Sequence, residues 1–388
     1  MKVAHLCFDG NFIDNAISVF EHFYPGSNIW FISEPRSGDS RKIKSEGDNI
    51  FWFAPQINSS YINSILDIVL RENVDVIVLH GMTKDFLRIL HSLYGNKNYK
   101  VYWIFWGFEL YGALGESGKM KLVDNASPWS PLSYVMPTKY RFLFWHSLIR
   151  RTHGCESLLE ETLPYIDFFC FWLYEDYLLL NKHYNTSIQF KYFQYGSVYR
   201  KDLKDADSRE KYFAKTSHTI LVNHQASTFG NHLTLMTKLR SMKGIEDYEI
   251  IVPLSYGSRV VKKLVLWKGK QMFHKGFKPI LDYMNLDSYQ DIIGKAEVAL
   301  FGHHRQEAVG NIAFLLACGT KVFLREDNVL FAYFKRLGYL VFSYESDLHT
   351  AEDLNGLSLE QKNFNASVAA SHKKCYEDFM PSLFSDDI

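Results

Sequence analysis

The chain has no excess of charge of either sign. Its 388 residues carry 43 Lys and Arg against 43 Asp and Glu. A bulk electrostatic attraction for nucleic acid is therefore absent, and no nucleic-acid partner is expected. Cysteine is scarce and odd in number: Cys7, Cys155, Cys170, Cys318 and Cys375. No pair has metal-ligand spacing and most sit in apolar runs, so they read as buried thiols in a reducing compartment. No apolar run reaches the roughly 18 residues a spanning helix needs. The nearest, Ile166–Tyr174, is short and carries charge. The opening Met1–Asp9 reads as a short strand rather than a signal peptide, because Asp9 interrupts a brief apolar run. Also missing are a Gly-x-Ser-x-Gly elbow, a Walker loop and a Gly-x-Gly-x-x-Gly fingerprint. No Asp-x-Asp stands at a strand end in the first half; Asp205-Ala206-Asp207 has that spacing but lies in a charged stretch. Neither a metal site, an internal repeat nor a low-complexity segment is legible.

Aromatic residues are abundant. They make up 16% of the chain, with 24 Tyr and 30 Phe, and 47% of all residues are hydrophobic. A chain of this length and apolar content is expected to form two domains with sizeable cores.

The first half alternates strand and helix patterns. Strands are expected at Val3–Phe8, Asn28–Ser33, Val74–Leu79 and Lys100–Phe105, and a last one at Ile166–Trp172. Helices are expected at Ala16–Phe23, Tyr61–Glu72 and Thr83–Tyr94. One helix per strand argues for a parallel sheet with right-handed crossovers. The charged stretch Arg200–Lys211 reads as a linker. The pattern then restarts, with strands at His218–Val222, Tyr248–Pro253, Ile280–Met284, Val298–Phe301, Lys321–Leu324 and Leu340–Phe342. Helices fall between them from Asn231, at Ser258–Gly269, Leu286–Lys295 and Gly310–Cys318, and a terminal helix is expected at Leu359–Phe379. The expected division is 1–205, 206–358 and a terminal segment 359–388 that returns to the first domain. The class is α/β, two Rossmann-like domains facing a cleft.

Three places carry candidate chemistry. In Phe301–Asn311 a dry strand ends in His303, His304, Arg305 and Gln306 before a helix that opens near Gly310 and Asn311. Free N–H groups at a helix start favour anions, and an Arg can grip a diphosphate through two parallel hydrogen bonds. The loop Asn223–His232 has the same order of strand, polar loop and helix, and offers Ser227, Asn231 and His232. In Trp106-Gly107-Phe108-Glu109 a carboxylate follows a strand among aromatics. Desolvation should raise its pKa toward a range useful for proton transfer, and His80 is a second candidate base. Each has a plain structural alternative, respectively a surface Arg, an ordinary helix cap, a salt-bridged Glu and a buried His. Residues 125–155 contain no Asp or Glu. Lys139, Arg141, Arg150 and Arg151 among aromatics there suit an anionic membrane surface or lipid phosphate, or equally a core-facing helix with a basic rim.

The ordered set is similar to a known family. It comprises His80-Gly81; Trp103 with Trp106-Gly107, Glu109-Leu110-Tyr111; Tyr140–Arg151; Ile220-Leu221-Val222 leading to Asn231-His232; Val252-Pro253 with Tyr256; Tyr289; and Arg305-Gln306 with Gly310 and Gly319. It resembles the bacterial glycosyltransferases that move 4-acetamido-4,6-dideoxygalactose (Fuc4NAc) from a TDP-sugar to a lipid-linked intermediate of enterobacterial common antigen, glycosyltransferase family 56. The resemblance implies a GT-B fold with the acceptor in the first domain and the nucleotide-sugar donor in the second. It implies metal-independent transfer without a cofactor, and a polyprenyl-diphosphate-linked saccharide as acceptor. The place implied is cytoplasmic and peripheral, at the inner face of the bacterial inner membrane. Donor binding then falls to Arg305, Gln306, Gly310, Asn311, Asn231, His232, Ser227 and Tyr256, and proton transfer to Glu109 or His80. Trp106, Tyr111, Lys139, Arg141, Arg150 and Arg151 would face acceptor and membrane. The family carries Asp where Glu109 stands and a more glycine-like segment where Glu307-Ala308 stands. A sugar-nucleotide epimerase of the same fold and a non-catalytic anion-binding module are the alternatives.

Overall fold

The computed structural model describes residues 1–10, 12–35, 40–54, 59–96, 98–124, 143, 145, 146, 149, 152–195, 212, 213, 218–371 and 374–385. Lys139, Arg141, Arg150, Arg151 and the linker Arg200–Lys211 lie outside the described residues. The chain divides into two compact units: Met1–Lys119 with His153–Ser197 and Lys374–Ile388, and Met120–Thr152 with Val198–Lys373.

The first unit is built on seven parallel strands: β1 Val3–Phe8, β2 Asn28–Ser33, β3 Ile50–Phe53, β4 Val76–His80, β5 Lys100–Ile104, β6 Phe168–Phe171 and β7 Gln189–Tyr192. Their order is β3-β2-β1-β4-β5-β6-β7. The central strands are buried along nearly their whole length rather than on alternate residues, as expected where helices cover both faces of a sheet. The helix Lys84–Leu93 shows why its segment forms one. Thr83 Oγ1 accepts from Phe86 N at its start, and Phe86, Ile89, Leu90 and Leu93 bury one stripe. The edge strands β3 and β7 are short and escape a periodicity reading.

The second unit has six parallel strands: β8 Thr219–Val222, β9 Glu249–Pro253, β10 Phe277–Ile280, β11 Val298–Leu300, β12 Lys321–Leu324 and β13 Phe342–Ser343. Their order is β10-β9-β8-β11-β12-β13. Ile220, Val222, Leu235, Val252, Leu300 and Phe323 lie in its core. The strand expected at Ile280–Met284 forms instead over Phe277–Ile280. Pro279, which argues against a strand, is tolerated because β10 is an edge.

In each sheet the strand order reverses once, at β1 and β4 in the first and at β8 and β11 in the second. Ligands of open parallel sheets bind beyond the carboxyl ends of such strands.

The terminal segment is not one helix to Phe379. The helix Leu359–Ser371 ends before Asp378, whose carboxylate takes the Cys375 N–H at 2.7 Å and starts a short turn. That helix belongs to the second unit, whereas residues from Lys374 belong to the first. There Phe379, Met380 and Leu383 join Phe20, Trp30 and Phe193 in the core. Burying each such side chain stabilises by about 1.5–3 kcal/mol. Among the described residues no helix is long and apolar enough to cross a membrane.

Candidate functional site

In the second unit the loops after β8 and β11 are tied together by two asparagines in left-handed backbone, Asn223 (φ 58°) and Asn231 (φ 50°). Asn223 Nδ2 donates to Gly230 O at 2.7 Å, and its Oδ1 accepts from Gly302 N at 3.0 Å. Asn231 Nδ2 donates to Gly302 O at 2.7 Å and Phe229 O at 3.1 Å, and its Oδ1 accepts from Asp124 N at 2.8 Å. The loops cross so closely that a Cβ on Gly302 would stand 2.5 Å from Gly230 O. A second crossing joins the loop after β9, where Gly257 (φ +108°) would bring a Cβ within 2.6 Å of Ala226 O.

On this frame stand the charged groups. Arg305 lies with its guanidinium carbon 4.6 Å from the Phe229 ring centre, and its Nε has no hydrogen-bond partner. Glu307 is held by Ser227 Oγ at 3.1 Å and Gln225 Nε2 at 3.0 Å, with Arg305 Nε 3.7 Å away. Burial pushes its carboxyl up, but His303, Arg305, His224 and the Ser227 hydroxyl prevail and hold it down to about 2. His224, His232 and His303 are buried around it. Desolvation lowers them to about 4, 4 and 3, so all three rings are neutral near pH 7.

Behind this layer, Arg325 is buried and pairs with Asp124 and with Glu345, the latter at 2.8 Å. His304 is held between Asp327 at 2.7 Å and Asp124 at 3.0 Å. Asn328 Nδ2 donates to His303 O and Arg305 O at 2.8 and 2.9 Å, fixing the segment that carries Arg305.

In the first unit Glu109 is the second residue of the helix Phe108–Glu116 and is buried. Neither carboxylate oxygen completes a hydrogen bond, and the indole N–H groups of Trp103 and Trp106 are equally without partners. Burial drives the Glu109 pKa up to about 7. Its own backbone N–H, the Trp103 indole and the backbone N–H groups of Met82 and Trp106 lie near enough to temper that rise. Gly81 (φ +87°) leaves room for the group, since a Cβ there would stand 3.2 Å from Glu109 Oε1.

His80 closes β4 and is fully buried with both ring nitrogens engaged. Its Nε2 is 3.0 Å from His5 Nδ1, and its Nδ1 is 2.6 Å from Tyr195 Oη. His5 Nε2 is 3.1 Å from Asn28 Oδ1, while Asn28 Nδ2 donates to Phe20 O and Tyr24 O. Those donations fix the amide, so His5 Nε2–H donates to Asn28, His80 Nε2–H to His5, and the Tyr195 hydroxyl to His80. Burial, the largest cause, keeps both histidines neutral. The Tyr195 ring packs 5.4 Å from Trp106.

The candidate donor residues Arg305, Ser227, Asn231 and His232 thus meet at the reversal point of the second sheet. The Asn231 amide is fully spent on the frame, so only its backbone stands at the helix start. Gln306 and Asn311 are partly exposed, Gly310 is exposed, and Tyr256 is about half exposed. A Cβ on Gly310 would meet nothing within 4 Å, so packing does not require glycine there. Tyr111, expected toward the acceptor, is instead fully buried, with its hydroxyl on Asp176 at 2.5 Å. Trp106 packs on Phe8, Phe12 and Tyr195.

Arg325, Asp124, His5 and Tyr195 escape the sequence reading. Arg325 follows a dry strand, as Arg305 does, and the same rule finds it; Asp124 has no local signal. Among the described residues, no group of three or more His, Cys, Asp or Glu is arranged to hold a metal ion.

Solved structures of similar fold span nearly the whole chain. The apo structure of OtsA covers 95% of this chain and 96% of its own at 12% identity and a TM-score of 0.55. Sucrose-phosphate synthase from Thermosynechococcus elongatus covers 99% and 95% at 9% identity, TM-score 0.55. Anabaena Alr3699/HepE in complex with UDP covers 95% and 93% at 10% identity, TM-score 0.54. At these identities they establish the fold alone, which is GT-B. No curated protein sequence matches the chain. Residues 180–355 match the family described as 4-alpha-L-fucosyltransferase glycosyl transferase group 56. The chain is thus a glycosyltransferase of GT-B fold, similar to group 56 over residues 180–355.

Proposed function

We propose that the chain moves a sugar from a nucleoside-diphosphate donor, TDP-linked, to a lipid-linked saccharide in surface-glycan synthesis. The observation that carries this reading is Arg305. It is a cation whose Nε completes no hydrogen bond, stacked on Phe229 in the loop that runs from β11 to the helix Val309–Ala317, where the second sheet reverses. Arg305 and the starts of that helix and of His232–Arg240 neutralise the departing diphosphate. Gln306, Gly310, Asn311, Ser227 and Tyr256 complete the donor site. That Anabaena HepE, of the same fold, binds UDP supports a nucleoside diphosphate as the leaving group.

Glu109 accepts the proton of the acceptor hydroxyl. The acceptor oxygen bonds to the anomeric carbon as the bond to the diphosphate oxygen breaks, and the diphosphate leaves with the electron pair. A carboxyl titrating near 7 is suited to that exchange. With both nitrogens engaged, His80 holds the wall beside Glu109. Exposed Leu143, Trp145 and Ile149, within the basic and aromatic stretch, support peripheral attachment to a membrane surface.

A thermal-shift screen against sugar nucleotides tests the donor class. Stabilisation by TDP-sugars above UDP- and GDP-sugars is expected, and no response to any of them would remove the reading.

A further inference from the structure

Four polar side chains of the first unit form a hydrogen-bonded relay that ends near Glu109, and its direction is set at the far end. The Asn28 amide hydrogens go to main-chain oxygens, of Phe20 at 3.2 Å and of Tyr24 at 2.9 Å. Its amide oxygen therefore accepts from His5, His5 accepts from His80, and His80 accepts from the Tyr195 hydroxyl, over 3.1, 3.0 and 2.6 Å. Each neutral imidazole has one donor and one acceptor, so no link turns round without breaking the next. Paired parallel strands hold the spacing: His5 stands on β1, His80 closes β4, and the Trp30 ring stacks 3.8 Å from His5.

The consequence falls on Tyr195. Its one proton is committed to His80, so its oxygen has only lone pairs left. The Trp106 ring packs 5.4 Å from the Tyr195 ring, and the indole N–H lies near enough to temper the rise that burial gives the phenol pKa. A Cβ on Gly81 would stand 3.4 Å from Trp106 Cδ1 and 3.2 Å from Glu109 Oε1, so the N–H edge of the indole and the carboxylate border one gap. Yet neither Trp106 Nε1 nor either oxygen of Glu109 completes a hydrogen bond. A phenol or an indole beside a carboxylate ordinarily donates to it, which favours the charged form and makes it a weaker base. The titratable groups that sense Glu109 are Tyr195 and Cys155, the latter on the helix Cys155–Thr162. Both stay protonated near pH 7, the thiol pushed up to about 11. We propose that Asn28, His5, His80 and Tyr195 are positioning residues for Glu109: by drawing the phenol proton to His80 they withhold a donor from the carboxylate and keep it a strong base. The relay rests on the reading of Glu109 as the general base, and supplies what holds the base in that state.

Infrared titration of the carboxyl C=O stretch tests this without any substrate, the band being assigned by its loss in Glu109→Gln. In the unmodified chain the midpoint should lie at about 7. Tyr195→Phe removes the lone pairs that compete for the indole N–H, and the midpoint should fall by about one unit. His80→Leu frees the phenol to donate to Glu109, and the midpoint should fall further. Combining the two substitutions should return the value of Tyr195→Phe alone, because the extra fall needs the hydroxyl. His80→Gln, whose amide can accept from Tyr195 and donate to His5, should shift the midpoint less than His80→Leu. A midpoint unmoved or raised in Tyr195→Phe, or a His80→Leu shift that persists undiminished in the double variant, overturns the relay and leaves the chain of bonds a structural one, whatever happens to Tm. A midpoint in the ordinary carboxylate range in the unmodified chain overturns the base reading of Glu109 instead. If His80→Leu does not fold, Tyr195→Phe, which keeps the ring and its packing, decides alone.

Discussion

Two glutamates, Glu109 buried and Glu307 mostly so, stand past strand ends in the two units, and their surroundings drive them to opposite states. Glu109 lies among Trp103, Trp106 and the wall behind Gly81, with no completed hydrogen bond, and burial lifts its pKa to about 7. Glu307 is mostly buried too, yet His303, Arg305, His224 and the Ser227 hydroxyl hold its carboxyl down to about 2. Depth alone therefore does not set the protonation of a carboxyl. What decides is whether cations and hydrogen-bond donors were buried with it. The first unit has a dry wall suited to moving a proton, and the second a charged one suited to holding an anion.

The strongest way to break this contrast is Glu109→Gln. Loss of a general base should lower kcat by about 10²- to 10⁴-fold with donor affinity unchanged, measured by turnover beside calorimetric titration; near-normal turnover would remove the base role. In the unmodified chain kcat/KM should rise with pH through about 7 as the carboxyl loses its proton. Stability should move the other way. The folded state holds this proton more tightly than the unfolded chain, so the contribution is full below the ordinary Glu range and is lost as pH rises through about 7. Urea melts at pH 5 and 8 should show that slope in the unmodified chain and a flatter one in the variant. Glu307 has the reverse sign, stabilising above the ordinary Glu range and losing that contribution as pH falls toward about 2.

Next in size is Arg305→Ala. Losing charge-assisted bonds to the diphosphate should weaken donor binding by about 10- to 100-fold, with Glu109's pH dependence untouched. Unchanged donor affinity would take Arg305 out of the site. The smallest effect is expected of Gly310→Ala. Nothing meets the added methyl, and Ala is favoured over Gly in a helix by about 1 kcal/mol. Tm should hold or rise slightly while donor affinity falls a few-fold, because a methyl now stands where the diphosphate approaches. Equal affinity would mean that the ligand keeps away from that turn.

The restart of the α/β pattern after the charged stretch is plain in the sequence, because the buried strands of both sheets are unbroken apolar runs bounded by polar loops. Edge strands are not: β3 and β7 are short, and β10 contains Pro279, acceptable only because no strand lies beyond it. The sequence shows Arg305 as a charge after a dry strand, but not that Glu307 would be drawn in beside it. Nor does it show that Asp124 would reach Arg325 across 201 positions. The partnership of His80 with His5 and Tyr195 is equally hidden, since it depends on strand register and on a residue beyond the last strand of the sheet. Local pattern reveals which segments end in chemistry; tertiary pairing decides which of those groups remain available.

The frame formed by Asn223 and Asn231 has a consequence for how such a protein can change. Every partner of those two side chains is a main-chain atom: Gly230 O, Gly302 N and O, Phe229 O, Leu122 O and Asp124 N. The path of the loops is thus anchored without reference to the side chains at 225, 227, 305 or 307. Mutation can rewrite those letters while the line they are written on stays in place, so this unit can acquire a new donor preference by substitution alone, without rebuilding the fold that presents it.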